Sequence, residues 1–212
     1  MTTEFQYARG KTRTQKKSVS PLCPENGKKS TSKTLGPVGG DRMIHHGYAS
    51  TYSSCLKPWM RDRNRKLTIV EVGILHGTGL AIWCDLFPNS RCIGLDLNPS
   101  FFHEYQSTLI SRGAFSLTQP DVYEFDQFAD NRERIAEILD GNSIDICIDD
   151  GCHHNEAILK TFECINRHLS KEFVYFIEDN SYAYKLLKSK FPLLMTENYG
   201  ELTVVVPDSS ST

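Results

Sequence analysis

Apolar residues recur along the chain with two alternating periods from about Tyr48 onward. Short apolar runs typical of buried strands alternate with segments in which apolar residues return every three or four positions, the spacing of an amphipathic helix. The first such helical face consists of Tyr48, Tyr52, Cys55, Leu56 and Trp59. Strands that alternate with helices indicate right-handed crossovers, so we expect an α/β fold whose mostly parallel sheet has helices on both faces.

The apolar runs predict seven strands. The first five fall at residues 67–73, 91–97, 114–117, 144–148 and 173–179, and the last two lie within 193–206. The intervening helices are expected near 80–86, 102–109, 135–139, 158–169 and 184–190. A turn at Tyr199-Gly200 joins the last two strands, which predicts an antiparallel C-terminal hairpin.

The first 40 residues follow neither period and differ in charge from the rest. They contain eight Lys or Arg and two Glu, a net charge of 8 − 2 = +6. The whole chain carries 24 − 26 = −2, so residues 41–212 carry about −8. We therefore expect residues 1–40 to be a disordered basic tail and 41–212 to be one domain. An acidic domain argues against a nucleic-acid-binding body, although the tail leaves contact with RNA or an anionic membrane open.

Cysteine usage and hydropathy indicate the compartment. Seven cysteines are an odd number, most of them lie in apolar patterns, and no CxxC pair occurs. This favours reduced thiols over a disulfide framework or a zinc ribbon. No apolar run approaches the roughly 20 residues that cross a bilayer. The expectation is a cytoplasmic protein without a membrane span.

Each predicted parallel strand is followed by acids or by a glycine cluster. The segments are GILHGTG (73–79), DLNP (96–99), QPD (119–121), DDGCHH (149–154) and EDN (178–180). Ligands of open α/β sheets bind outside the carboxyl ends of the strands. Five such ends together predict a ligand site at this edge of the sheet.

The glycine-rich segment and the acid after the second strand suit a nucleotide-like ligand. Three glycines between a strand and a helix allow a tight turn and a close approach of the ligand. The spacing is neither the dinucleotide GxGxxG nor a P-loop, and an ordinary turn stays open as the alternative. Asp96, about 20 residues later, can accept hydrogen bonds from both hydroxyls of a ribose. Capping of the next helix by Asp96 or Asn98 is the competing interpretation.

Two pairs of acids end the fourth and fifth strands, Asp149-Asp150 and Glu178-Asp179. Neighbouring strands lie about 4.8 Å apart, so we expect all four carboxylates in one region, where they would repel one another unless a cation joins them. Hard oxygen ligands select Mg²⁺, Ca²⁺ or Mn²⁺. The alternative is that one pair caps a helix and the other faces solvent.

Several histidines lie near these acids. His153 is a candidate general base for an alcohol whose acidity a metal raises, and a backbone-bonded histidine at a helix start is the alternative. His154 is expected to be structural or to touch the metal site. His76 is expected beside the ligand in the glycine segment, and His45 and His46 are candidates for closing the cleft.

These motifs together resemble class I S-adenosylmethionine-dependent methyltransferases. More narrowly, residues 41–212 resemble the metal-dependent sugar and macrolide O-methyltransferases and the cephalosporin hydroxylase-like proteins. The resemblance rests on HGY (46–48), EVGILHGTG (71–79), GLDLNP (94–99), Gln119 with Asp121, IDDGCHHN (148–155) and FIED (176–179). The most specific part is IDDG-x-H followed one helix later by ED. The resemblance implies a Rossmann-like methyltransferase fold.

The resemblance also implies roles for individual residues toward S-adenosylmethionine and a divalent metal, with Mg²⁺ the first choice. The implied cofactor-binding residues are Glu71, Gly73 and Gly77 for the methionine and ribose, Asp96 for the ribose hydroxyls, Gln119 and Asp121 near the adenine, and Asp149 lining the cleft. The implied metal ligands are Asp150, Glu178 and Asp179. The implied general base is His153.

The implied activity is methyl transfer to a hydroxyl oxygen of a small molecule of the sugar or natural-product type. The chain runs quickly from Asp179 to its last strands, which favours a small acceptor over a large macrolide. Two alternatives stay open, an RNA methyltransferase guided by the basic tail and a non-catalytic scaffold on a methyltransferase fold. The sequence is also compatible with a homo-oligomer.

Overall fold

The computed structural model describes Arg42 and residues 46–208. The predicted tail, residues 1–40, and His45 lie outside the described residues, so the division of the chain at residue 40 stays a prediction. Within the described part, no helix is both long and apolar enough to cross a membrane.

The helices and strands alternate along most of the described chain. The helices are α1 (Ala49–Cys55), α2 (Lys57–Met60), α3 (Thr78–Leu86), α4 (Ser100–Ser111), α5 (Arg132–Leu139), α6 (Asn155–Ile165) and α7 (Ala183–Lys190), with a 3₁₀ turn at Asn166–His168. The strands are β1 (Thr68–Val72), β2 (Arg91–Asp96), β3 (Asp121–Glu124), β4 (Ile144–Asp149), β5 (Leu169–Ile177), β6 (Leu194–Tyr199) and β7 (Leu202–Pro207).

The strands form one seven-stranded sheet in the order β3-β2-β1-β4-β5-β7-β6. The first five are parallel to one another, whereas β7 runs antiparallel to both β5 and β6. This confirms the predicted mostly parallel sheet and its C-terminal hairpin. The strand order reverses direction between β1 and β4, the point at which open α/β sheets bind ligands.

Each face of the sheet has its own hydrophobic core, because successive strand side chains point to opposite faces. On one face, Ile69 and Phe176 pack with Trp83 of α3 and Tyr52 of α1. On the other face, Val70 packs with side chains of α5, α6 and α7. The side chains of two consecutive acids at the end of a strand therefore point to opposite faces of the sheet.

The third strand is where the sequence analysis is wrong. β3 begins at Asp121, whereas the expected strand, 114–117, is a turn after α4. Ala114 and Phe115 are buried, and Phe115 has a φ of +59°, which excludes an extended conformation. The apolar run therefore marked burial against the core and not a strand. In addition, β5 begins at Leu169 because the 3₁₀ turn ends the preceding helix earlier than expected.

The cysteines fit the expected reduced state in part. Cys55, Cys84, Cys92, Cys147 and Cys164 are free thiols, and all but Cys55 are buried. Cys152 is not among these free thiols.

The loops after β1 and β4 are in close contact at Gly73. The Gly73 N–H donates to the carbonyl of Leu95 at 2.8 Å, and the Asp150 N–H donates to the carbonyl of Val72 at 2.8 Å. Gly73 has a φ of +83°, and a Cβ placed on it would lie 2.2 Å from the Asp150 carbonyl oxygen. Only glycine satisfies both constraints, which ties the first glycine of the motif to the β4 loop.

We expect Gly73→Ala to destabilise the protein more than Gly141→Ala does. Gly141 has a similar φ of +80°, but a Cβ placed on it would have nothing within 4 Å, so it isolates the cost of the left-handed backbone, about 1–2 kcal/mol. At Gly73, overpacking against Asp150 adds about 1–3 kcal/mol. Urea denaturation of both variants measures the difference, and equal losses of unfolding free energy would contradict the close contact.

Candidate functional site

Asp150, His153 and Asp179 form a compact group at the carboxyl edge of the sheet. One ligand atom from each lies within 4.8 Å of the others. The His153 Nε2 atom is 3.8 Å from Asp150 Oδ1 and 4.0 Å from Asp179 Oδ2. The three residues are partly buried and come from the loops after β4 and β5, which are neighbouring strands. An imidazole and two carboxylates can together hold a divalent cation.

The other nitrogen of His153 defines the tautomer of the ring. Nδ1 lies 3.2 Å from the backbone carbonyl oxygen of Glu178. A carbonyl accepts hydrogen bonds only, so Nδ1 must carry the proton in this contact. Nε2 is then the basic nitrogen of the neutral ring, and it is the atom that faces the two carboxylates.

Backbone strain is concentrated at this edge. His153 and Asp179 have φ values of +62° and +57°, and Leu75 in the glycine segment has +47°. Residues with a Cβ rarely adopt this left-handed region, and such strain persists where the surrounding structure enforces it, often at functional sites. The loops are therefore held in conformations that their residues do not prefer.

Glu178 lies beside this group in a buried network centred on Arg42. Its Oε1 accepts from Arg42 Nε at 2.5 Å and from the Tyr52 hydroxyl at 2.5 Å. Arg42 Nη2 also donates to Glu71 Oε1 at 2.8 Å and to Asp150 Oδ2 at 3.3 Å. Arg42 thus joins the ends of β1, β4 and β5, which are adjacent in the sheet.

Burial raises the pKa of the Glu71 and Glu178 carboxyls, and the charge of the Arg42 guanidinium offsets part of each shift. The guanidinium is itself 4% exposed and lies 5.4 Å from the centroid of the Trp83 ring. Arg42 and Tyr52 were not identified as site residues from the sequence. The sequence carried one signal for a residue such as Arg42. Several acids lie on or at the ends of buried strands, and buried acids require a cation nearby.

Asp149 makes its side-chain contact with Gln127, on the α6 side, and is not part of the group that Asp150 forms with His153 and Asp179. Its Oδ1 accepts from Gln127 Nε2 at 2.9 Å. Gln127 also contacts Thr161 of α6 at 3.0 Å and accepts from the Cys152 N–H at 2.7 Å. Burial raises the pKa of Asp149 to about 7. The alternation of the strand directs Asp149 toward α6, beneath the loop that carries His153.

Asp96 holds the glycine segment in place. Its Oδ2 accepts from the Leu75 N–H at 3.0 Å, and its Oδ1 accepts from the Asn98 N–H at 2.8 Å. The side chain makes no capping bond to α4, whose N-cap is Pro99. Burial raises the pKa of Asp96. The predicted contact with ribose hydroxyls stays a prediction, and the structure adds a role in ordering the loop.

The remaining histidines take different positions. His76 is buried, and its ring lies edge-on to Tyr105 with centroids 4.3 Å apart. His154 is the N-cap of α6, and its Nδ1 accepts from the Glu156 N–H at 3.4 Å, which matches the structural role considered for it. His46 Nδ1 lies 3.3 Å from Asp179 Oδ1, at the outer side of the acid group.

Gln119 and Asp121 are not brought to this edge. Gln119 precedes β3 and Asp121 begins it, and Asp121 pairs with Ile93 while its carboxylate contacts Arg91 Nε at 2.9 Å. Gln119 Nε2 donates to the Phe115 carbonyl at 2.9 Å. The polar residue after β3 that reaches the site is Gln127, which was missed because the strand was assigned too early.

No family model matches the chain. A 2'-O-methyltransferase of 8-demethyl-8-alpha-L-rhamnosyl tetracenomycin C from Streptomyces olivaceus is 23% identical over 154 residues, 69% of this chain and 36% of that protein. The structure of MycE, a methyltransferase of the mycinamycin pathway solved with Mg and SAH, matches with a TM-score of 0.61 and 21% identity over 80% of this chain and 52% of that one.

A second solved structure is matched by this chain over nearly the whole length of that structure. It is a putative caffeoyl-CoA O-methyltransferase from Staphylococcus aureus, with a TM-score of 0.53, 14% identity and coverage of 80% of this chain and 93% of that one.

The chain has the class I S-adenosylmethionine-dependent methyltransferase fold. The fold that the motifs implied is thereby confirmed, together with the mostly parallel sheet and its C-terminal hairpin. The chain spans about one third of the length of the tetracenomycin enzyme and about half of the length of MycE.

We expect Gln127→Leu to destabilise the methyltransferase fold by about 1–3 kcal/mol, because buried partners of the amide lose their hydrogen bonds. Gln106→Leu is the matched control, since Gln106 is only partly buried and its amide makes one long contact of 3.5 Å to Gln119. Chemical denaturation of both variants measures the effect. Similar unfolding free energies for the two would show that the Gln127 network is not a structural link.

Proposed function

We propose that the chain is an S-adenosylmethionine-dependent O-methyltransferase that acts on a hydroxyl of a small molecule. The observation that carries this proposal is the position of His153 Nε2 between Asp150 and Asp179. This group lies at the strand ends where a methyltransferase fold binds its ligands. A basic nitrogen beside a cation site suits deprotonation of an alcohol.

The donor set fits a divalent metal. Asp150 and Asp179 would hold Mg²⁺ with oxygen atoms that lie within 4.8 Å of each other, and Glu178 would contribute from the buried network beside them. When bound, the metal would supply a positive charge that lowers the pKa of the acceptor hydroxyl. MycE, which has the same fold, was solved with Mg and SAH, and this supports the proposal.

The loop after β1 would hold the methyl donor. Gly73 and Gly77 have positive φ values of +83° and +82°, so the backbone turns tightly where a ligand must come close. Asp96 already orders this loop and would bind the ribose hydroxyls. Glu71 is buried and bound to Arg42, which supports a role in shaping the pocket. S-adenosylmethionine, when bound, would supply the methyl group.

The residues of the chain would then perform proton transfer and positioning. His153 would take the acceptor proton on Nε2 while Nδ1–H stays bonded to the Glu178 carbonyl. The carboxylates of Asp150 and Asp179 would stabilise the imidazolium that forms. Holding the hydroxyl in line with the methyl donor would supply the larger share of the rate, since well-oriented reactants can gain about 7–11 kcal/mol.

The small acceptor is supported by the short connections near the site. α7 ends at Lys190, and β6 begins at Leu194, so residues 180–193 contain no long insertion. The tetracenomycin enzyme is named for a sugar hydroxyl, and MycE was also solved with mycinamycin VI. A hydroxylated sugar or natural product is therefore the acceptor class we propose.

Calorimetric titration with S-adenosylmethionine tests the cofactor. We expect the unsubstituted chain to bind it, and Asp96→Ala to lose most of the affinity because both the ribose partner and the order of the loop are removed. Asp62→Ala is the control, since Asp62 makes a similar turn contact to Asn64 N at 3.0 Å on an exposed loop. A folded chain that does not bind S-adenosylmethionine would overturn the proposed activity.

His153→Ala tests the general base. With Mg²⁺ and a panel of hydroxylated sugars and phenols, we expect release of S-adenosylhomocysteine to slow by about 10²–10⁴-fold, while the affinity for S-adenosylmethionine stays the same. His103→Ala is the control, because His103 is an exposed residue of α4. An unchanged rate in His153→Ala would remove the base from the mechanism.

A further inference from the structure

The three carboxylates proposed as metal ligands share a common arrangement. In each one, an oxygen atom is bound by a side chain that precedes β1. These side chains are Arg42, Tyr48 and Tyr52, named here the anchor residues. They lie outside the strand-end motifs that indicated the acids, and none of them follows a strand of the sheet.

The first anchored group is Glu178. Arg42 Nε and the Tyr52 hydroxyl both donate to the same oxygen, Oε1, each at 2.5 Å. Hydrogen bonds from a cation and a buried hydroxyl to one oxygen fix the rotation of the carboxylate. The orientation of Glu178 is therefore determined by two residues that do not belong to the β5 loop.

The second and third anchored groups are Asp150 and Asp179. Arg42 Nη2 donates to Asp150 Oδ2 at 3.3 Å, and the Tyr48 hydroxyl donates to Asp179 Oδ1 at 3.0 Å. The opposite oxygens, Asp150 Oδ1 and Asp179 Oδ2, are the ones that lie 3.8 and 4.0 Å from His153 Nε2. In both residues, one oxygen faces an anchor and the other faces the proposed cation position.

The anchors are themselves rigid. Tyr48 and Tyr52 are 4% and 2% exposed, and the Tyr52 ring stacks on Phe176 with centroids 4.2 Å apart. Arg42 is packed beside Trp83 and is also held by Glu71. Groups fixed by packing and by several hydrogen bonds lose little entropy when they orient a ligand carboxylate.

We propose that Arg42, Tyr48 and Tyr52 are positioning residues that orient the carboxylates of Asp150, Glu178 and Asp179 toward a divalent cation. This inference rests on the proposed function, because it assumes that these carboxylates bind metal. Partners that orient metal ligands typically contribute 10–100-fold to metal affinity. In this proposal the anchor residues act on the cation through the carboxylates that they hold.

Mn²⁺ binding to the full chain tests the inference without any acceptor. Free Mn²⁺ is measured by electron paramagnetic resonance during a titration of the unsubstituted chain and of Tyr52→Phe, Tyr48→Phe and Arg42→Lys. We expect each variant to bind Mn²⁺ at least about 10-fold more weakly. Arg42→Lys keeps the charge but loses the planar fork that reaches Glu178, Glu71 and Asp150 together.

Two control variants remove the same chemical groups elsewhere. Tyr182→Phe removes an exposed hydroxyl, and Arg63→Lys removes a guanidinium that donates to the carbonyls of Leu86 and Asp85 at 2.7 Å each. Both should bind Mn²⁺ like the unsubstituted chain. The affinity for S-adenosylmethionine and the thermal unfolding in EDTA are measured for every variant.

The outcomes separate the positioning role from the proposed function. Weaker Mn²⁺ binding with unchanged affinity for S-adenosylmethionine supports the anchors. Parallel losses of Mn²⁺ affinity, cofactor affinity and thermal stability would show that the residues are structural and would overturn the inference. Unchanged Mn²⁺ affinity in all three variants would overturn it while leaving the metal site standing. Absence of Mn²⁺ binding to the unsubstituted chain would overturn both.

Discussion

Electrostatic repulsion among buried acids is the constraint on which the rest of this site depends. Glu71, Asp150 and Glu178 lie at the ends of three adjacent strands, and burial disfavours the charge on Glu71 and Glu178. A single guanidinium, that of Arg42, contacts all three carboxylates. Removing one partner of such a buried group leaves an uncompensated charge, which costs more than an exposed ion pair contributes. The acids at the strand ends therefore depend on the position of Arg42, which supplies the positive charge that they share.

The second determinant is the alternation of side chains along β4 and β5. It separates Asp149, which points toward α6 and binds Gln127, from Asp150, which joins His153 and Asp179. Two acids that are adjacent in sequence thus serve two purposes. Asp149 supports the loop after β4 through Gln127, and Asp150 faces the cleft. The left-handed backbone at His153 and Asp179 completes the separation, because it turns the chain shortly after each strand.

Much of the fold was predictable because burial and periodicity are local properties. Six of the seven strands, the mostly parallel arrangement and the hairpin follow from the alternation of apolar runs with helical segments and from the turn at Gly200. The strand at 114–117 was misplaced because Ala114 and Phe115 are apolar for packing after α4, and apolarity alone does not distinguish a strand from a buried turn. That error also put Gln119 and Asp121 after the third strand, whereas Gln119 precedes it and Asp121 begins it.

The acids after β4 and β5 could be found in the sequence because each pair lies directly at the end of a strand. Arg42, Tyr52 and Gln127 could not, because their importance depends on partners that are distant in the chain. Gln127 is 22 residues from Asp149, and Arg42 is 136 residues from Glu178. No periodicity or spacing rule connects positions that only the completed sheet brings together.

The separation of Arg42 from Glu178 has a consequence for the folding of the chain. Bringing together two residues 136 positions apart closes a long loop, and the conformational entropy lost in doing so is recovered only after the intervening strands have paired. The sheet and both hydrophobic cores can therefore form before the guanidinium reaches the acids. In kinetic terms, we expect the acid-rich end of the molecule to assemble late, because it depends on a residue that precedes the first strand of the sheet.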